Sequence, residues 1–327
     1  MKYNSFNNHK TFSKVVFIDG IPRVGKTALS SIISAFNKSE LLQFCLFIEQ
    51  VLPALKYKKI SKDFAKAFIN THLNEIIYNT MISRNINLRK GEFTSAYNFR
   101  DKNIYLKRML MPDGDIVISR LKKNKNFFPF LSHDFMALYP QLKEMKLHFK
   151  LIEIYRNPFD TICSWHNKRF GSRFINDVRT WTIKAGKNNR LVPWYAFEYQ
   201  QKYLNYNPLN RCIINVISLL DLSIKNHIKF QNDKNVVTFK YEEFLENTNI
   251  FIKKISNFLE SPINKQSVTK ILKSANLPRP YSYENTKKNK YFIKSNTSRK
   301  LYAKIENLEK NYLKYFYGIK KNIISVK

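Results

Sequence analysis

The chain has 327 residues, enough for one large domain or two small ones, and 44% hydrophobic content can build a sizeable core. Fifty-seven basic against 24 acidic residues give a net charge of +33, which favours anionic partners: nucleotides, acidic glycans, nucleic acid or an anionic membrane face. No apolar run approaches the ~18 residues of a membrane span, Met1 to Lys14 lacks the apolar stretch of a secretory signal, and Cys45, Cys163 and Cys212 have no metal-ligand spacing, so a cytoplasmic protein with three reduced thiols is expected.

In chain order, residues 1–13 read as a polar tail. Lys14 to Asp19 is a short run rich in β-branched residues and predicts a buried strand. A tight loop follows, and Thr27 to Phe36 has helical apolar spacing. Residues 40–110 read as helical and basic, with a core helix over Leu41 to Leu55. Asp115 to Arg120, after the turn-like Pro112-Asp113-Gly114, predicts a second strand. Phe135 to Lys146 predicts a helix and Phe149 to Tyr155 a third strand; Pro158 opens a helix. Asn210 to Phe230 is an amphipathic helix and Asn235 to Lys240 a fourth strand. Pro278 to Lys300 reads as a mobile basic loop. Strands alternating with helices in one continuous domain predict an α/β fold, a parallel sheet with helices on both faces and helical insertions.

Gly20-Ile-Pro-Arg-Val-Gly25-Lys26-Thr27 fits the phosphate-loop pattern G-x-x-x-x-G-K-[ST], placed between a strand and a helix as that loop requires. Glycines let the backbone close around an anion, the helix adds its positive end, Lys26 a charge and Thr27 a hydroxyl. With only seven glycines in the chain, Gly20 and Gly25 are not there by accident. Nucleotide hydrolases and kinases also need an aspartate at a strand end to hold magnesium. Asp19 precedes the loop, Asp160 follows a proline at a helix start, and neither strand end supplies another. A magnesium-dependent P-loop kinase or hydrolase is therefore the second reading. A nucleic-acid-binding module, supported by charge alone and by no motif, is the third.

A second anion site is legible at Tyr155-Arg156-Asn157-Pro158-Phe159-Asp160, with Ser164 eight residues beyond Arg156. An arginine at a strand end offers a fork of donors to phosphate, or pairs with a carboxylate such as Asp160. In order along the chain, residues 20–27 and 156–164 resemble the two motifs of the sulfotransferases that use 3′-phosphoadenosine 5′-phosphosulfate (PAPS). Lys240-Tyr241-Glu242 and Ile255 to Leu259 are similar to that family's Y-E-D-L segment and F-L helix end. Leu131-Ser132-His133 resembles its K-T-H segment. Lys26 stands where most members have threonine, and Leu131 where cytosolic members have lysine.

The resemblance implies sulfuryl transfer from PAPS to a hydroxyl or amine, without a metal. It implies that Arg23, Val24, Gly25, Lys26 and Thr27 hold the 5′-phosphosulfate, with Arg23 and Lys26 stabilising leaving-group charge. Arg156 and Ser164 would hold the 3′-phosphate, with Arg279, Lys287 and Lys288 as candidates to complete it. His133 is the candidate general base. The charge favours an acidic glycan or glycolipid acceptor and leaves open a peripheral membrane contact; specific nucleic-acid binding is not expected. Trp165, Trp181 and Trp194 read as core residues, and the aromatic run Tyr195 to Tyr206 as packing.

Overall fold

The computed structural model describes residues 11, 13–187 and 190–323; of the tail expected over 1–13, residues 1–10 and 12 lie outside them. Lys14–Asp19 forms strand β1, and every residue after Lys14 is buried. Such unbroken burial means that both faces of the strand are covered. Gln43–Phe44 (β2), Phe127–Leu131 (β3), Lys150–Tyr155 (β4) and Val236–Lys240 (β5) complete a five-stranded sheet in the order β2-β3-β1-β4-β5, parallel throughout. The edge strand β5 alternates buried and half-buried residues, as an edge should.

This order creates a switch point. The chain leaves β1 toward β2 and β3 on one side, then crosses to β4 and β5 on the other. Ligands in open α/β sheets bind at the carboxyl ends of the strands at such a point. Register aligns those ends: Ile18 pairs with Leu131 and Asp19 with Glu153. Gly20, Ser132-His133 and Arg156 therefore leave the sheet along one edge, although up to 136 positions separate them.

The helices that matter to that edge are α1 (Lys26–Ser34), α2 (Leu46–Lys56), α3 (Pro158–Asn167) and α4 (Tyr241–Glu246). Asn157 caps α3 with its side chain, Oδ1 accepting from Phe159 N at 2.9 Å, and Pro158 occupies the first turn, where its missing N–H costs nothing.

Three sequence expectations need correction. Asp115 to Arg120 is not a strand: Asp115–Lys123 is a helix. Val117 and Leu121, four apart, are its buried residues, Asp115 sits in its first turn and Arg120, Lys122 and Lys123 in its last. The helical spacing and the end charges outweigh the β-branched Ile-Val-Ile. The strand lies instead at Phe127–Leu131, where Pro129 disguises it, since proline argues against an interior strand. Pro278 to Lys300, read as a loop, holds a helix over Tyr283–Asn296. Asp160 anchors it, accepting from Tyr281 Oη, from Thr286 Oγ1 at 3.2 Å and from Asn289 Nδ2 at 2.9 Å. Trp181 is 60% exposed, whereas Trp165 and Trp194 are buried as expected. All three cysteines are free and buried.

Candidate active site

The loop after β1 is shaped by its glycines. Gly20 has φ +135°, and a Cβ there would stand 2.4 Å from the carbonyl oxygen of Ile154. Gly25 has φ +101°, and a Cβ there would fall 2.3 Å from the Tyr241 ring. Gly25 is also the N-cap of α1, with no side chain capping the helix and no acid in its first turn. The first N–H groups of α1 are thus left for an anion. Val24 is fully buried and anchors the loop, whereas Arg23 and Thr27 are exposed. Trp165 Nε1 donates to Pro22 O at 2.6 Å, fastening the loop to α3.

Arg156 leaves the end of β4 and meets this loop. Its Nη1 donates to Arg23 O at 3.1 Å, and its guanidinium lies 4.9 Å from the centre of the Tyr241 ring. The ring therefore sits between Gly25 and Arg156. Asp160 is 4.0 Å from Arg156 and its oxygens are taken by the helix Tyr283–Asn296, so Arg156 is not consumed by that carboxylate. Arg156 Nε is buried and has no hydrogen-bond partner among the described residues. Arg23 Nε donates to Ser164 Oγ at 3.2 Å, which brings together the two motifs separated by 141 positions. Glu242, the neighbour of Tyr241, accepts from Asn157 N at 2.7 Å and from Tyr312 Oη at 2.6 Å. The Tyr-Glu pair thus shapes both anion-facing loops.

His133 stands just past β3. Its backbone N–H donates to Glu49 Oε1 at 2.8 Å, and its Nδ1 lies 3.0 Å from the same oxygen. Glu49 Oε1, which already accepts from the backbone N–H, is an acceptor facing Nδ1; this favours the proton on Nδ1 and leaves Nε2 as the acceptor. Burial pushes His133 well below the usual imidazole range, and the charge of Lys26 adds to this. Burial likewise pushes Glu49 well above the usual carboxyl range, against the opposing charge of Lys26. His133 keeps 24% of its side-chain surface exposed, enough to meet a ligand.

Lys26 takes an unexpected position. Its ammonium donates to Gly20 O and, at 2.5 Å, to Ser132 O, tying the phosphate loop to the segment that carries His133. It is 5% exposed and faces Asp19, Glu49, Asp134 and Glu153; burial lowers its pKa against their pull. Burial raises Asp134 and Glu153 well above the carboxyl range. One ammonium among several buried carboxyls favours protonation of the surplus acids.

Two hollows meet at His133. A cleft of 410 Å³ is lined by Arg23, Gly25, Lys26, Thr27, Arg156 and Tyr241, with Arg279 at its far wall. A smaller one of 140 Å³ is lined by Phe170, Phe174, Trp181 and Tyr195, with Glu49 and Asp134. His133, Pro22 and Phe170 border both. Arg279 is thereby brought to the cleft, while Lys287 and Lys288 are exposed and do not line it. The cleft suits a polyanion: an uncapped helix start and the side chains of Arg23, Arg156 and Arg279 line it. Sequence reasoning missed Glu49. The signal was a carboxylate inside an otherwise apolar core helix.

A phosphate-shaped loop and converging arginines at the switch point of a parallel sheet make this an anion-handling α/β protein. A family model described as a sulfotransferase domain matches residues 13–315, and the chain belongs to that family of sulfuryl-transferring enzymes. No curated protein matches. Among solved structures it is similar to the sulfotransferase domain of the Synechococcus PCC 7002 olefin synthase (14% identity, 82% of this chain and 80% of that one, TM-score 0.40). It is also similar to a sulfotransferase from Alicyclobacillus acidocaldarius (12%, 90% and 94%, 0.37). A third is mouse sulfotransferase SULT7A1, complexed with PAP (16%, 80% and 64%, 0.36).

Proposed function

We propose that this protein transfers a sulfuryl group from PAPS to a hydroxyl or amine on a ring-bearing acceptor, a glycan or glycolipid in particular. The observation that carries the reading is His133, which borders both the arginine-lined cleft and the aromatic hollow. PAPS, when bound, would supply the sulfuryl group on a phosphate leaving group. The N–H groups from Val24 to Thr27 and the Thr27 hydroxyl hold the 5′ anion. Arg23 neutralises charge that develops on the leaving oxygen, a form of electrostatic preorganisation. Lys26, donating to Gly20 O and Ser132 O, braces the loop that presents those groups. Arg156 and Ser164 grip the 3′-phosphate, with Arg279 completing the grip.

His133 takes the acceptor's proton on Nε2. Glu49 fixes the ring orientation by accepting from Nδ1 and from the backbone N–H of the same residue. A depressed imidazole pKa keeps His133 neutral, and so able to accept a proton, at neutral pH. Trp181 offers a flat face on which a sugar ring can stack, and Arg173, held 4.8 Å from the centre of the Phe170 ring, supplies charge for an acidic one.

The competing magnesium-dependent kinase reading rested on Gly25-Lys26-Thr27. Lys26 donates to main-chain carbonyls, and the Asp160 oxygens are taken by Tyr281, Thr286 and Asn289, so neither supports it. Thermal unfolding with 3′,5′-adenosine diphosphate against ATP and magnesium tests the choice. At 100 times its dissociation constant a native-state ligand stabilises by ~2.7 kcal/mol. Stabilisation by the bisphosphate is expected; a response to ATP and magnesium alone would overturn the assignment of the donor.

A further inference from the structure

The insertion between β2 and β3 ends in a tip unlike the rest of the surface. It is built from the helices Lys102–Arg108 and Asp115–Lys123 and the turn between them. Their inward sides are satisfied: Tyr105, Val117 and Leu121 are buried, and Arg108 donates to the buried Glu40 at 2.7 Å. Their outward sides mix lysines with exposed apolar side chains. Ile104, Met109, Met111 and Ile116 are between 39% and 49% exposed, and Leu110 is 89% exposed. Ile104 and Met111 share one hollow of 440 Å³ with Lys107, Arg120 and Lys123, and Met109 borders a neighbouring hollow with Met111. Ile104, Met109 and Met111 therefore share one patch with the basic side chains, and Leu110 stands between the two methionines in the chain.

The charge around it is one-sided. Lys102 to Lys125 holds seven basic and two acidic residues, and Asp113, one of those acids, is paired with Arg84 at 3.0 Å. Lysine is depleted where proteins meet proteins, whereas it is enriched where they meet anionic lipid. Here the exposed apolar residues from 104 to 116 include no aromatic, and lysines frame them. Short apolar insertion combined with a basic cluster is the pairing that holds a protein to an anionic lipid surface, since neither suffices alone.

We propose that this tip is a docking surface for an anionic lipid bilayer. Met109, Leu110, Met111 and Ile116 enter the headgroup–acyl boundary, while Lys107, Arg120 and Lys123 lie against the headgroups. The proposal goes beyond sulfuryl transfer and does not rest on it, because vesicle binding is read without turnover.

The test is co-sedimentation of the full chain with phosphatidylcholine vesicles, plain or containing about 30% phosphatidylserine. Binding is expected only with phosphatidylserine, and should weaken steeply between about 50 and 300 mM salt. Lys107→Gln with Lys123→Gln should lower partitioning about 25-fold, at roughly fivefold per lysine charge removed. Leu110→Asp should lower it by about tenfold. Unchanged unfolding midpoints show that both variants are folded, as exposure of these side chains predicts. No binding to phosphatidylserine vesicles, or binding indifferent to both variants, would overturn the proposal. So would concentration-dependent self-association that Leu110→Asp abolishes, which would make the tip a protein–protein surface.

Discussion

Replacing Gly25 by alanine tests how the phosphate loop is held. At φ +101° a residue with a Cβ carries backbone strain of ~1–2 kcal/mol. The new methyl would also lie 2.3 and 2.4 Å from two carbons of the Tyr241 ring. That ring cannot simply swing away, because Arg156 stacks on it at 4.9 Å. Overpacking of this kind costs roughly 1–3 kcal/mol. The sum is a loss of roughly 2–5 kcal/mol, read by urea unfolding, together with weaker 3′,5′-adenosine diphosphate binding, read by calorimetry. The decisive variant is Gly25→Ala combined with Tyr241→Ala. With the ring gone only the backbone strain of ~1–2 kcal/mol should remain, so the two changes should couple by roughly 1–3 kcal/mol. Strict additivity would refute the contact between loop and ring as the reason for this glycine.

His133→Ala should reduce turnover by about 10²–10⁴ while leaving bisphosphate affinity intact, measured as kcat against Kd; near-normal turnover removes it from the mechanism. Arg156→Ala should weaken 3′,5′-adenosine diphosphate about 10–100-fold and adenosine 5′-monophosphate much less, as loss of one or two charge-assisted hydrogen bonds predicts. Glu49→Gln keeps an oxygen for His133 and should retain more turnover than Glu49→Ala; the reverse order would sink the positioning role. Burial lowers His227 to about 4, so below pH 6.5 the unfolded chain takes up a proton that the folded one refuses. Stability should therefore fall by about 2 kcal/mol from pH 7 to pH 5 on this account, and His227→Leu should lose less over that range in denaturant titrations.

The loop after β1 and the turn after β4 were legible because each is local. Residues 20–27 carry strand, loop and helix in one stretch, and Arg156 with Pro158 marks a strand end and a helix start within three positions. The sheet was less so. Phe127–Leu131 packs in the interior with a proline in its middle, whereas Asp115–Lys123 hides a helix behind β-branched residues; tertiary burial decided both against local propensity. Lys26 matched a phosphate-binding lysine, but its direction depends on Ser132, 106 positions away. The place of Glu49 beside His133, 84 positions away, and the aromatic hollow drawn from residues 170–195 likewise depend on tertiary packing rather than on local pattern.

The clamp on Asn157 also bears on when the protein becomes competent during its synthesis. Asn157 N–H is held by Glu242, whose other oxygen accepts from Tyr312, and Asn157 Nδ2 donates to Glu309 Oε1 at 2.7 Å. All five strands have left the ribosome long before those last two residues do. A nascent chain can therefore assemble its sheet and its phosphate loop while the neighbouring arginine loop still lacks half its moorings. That loop is fully moored only when the helix Arg299–Ile323 packs against α3.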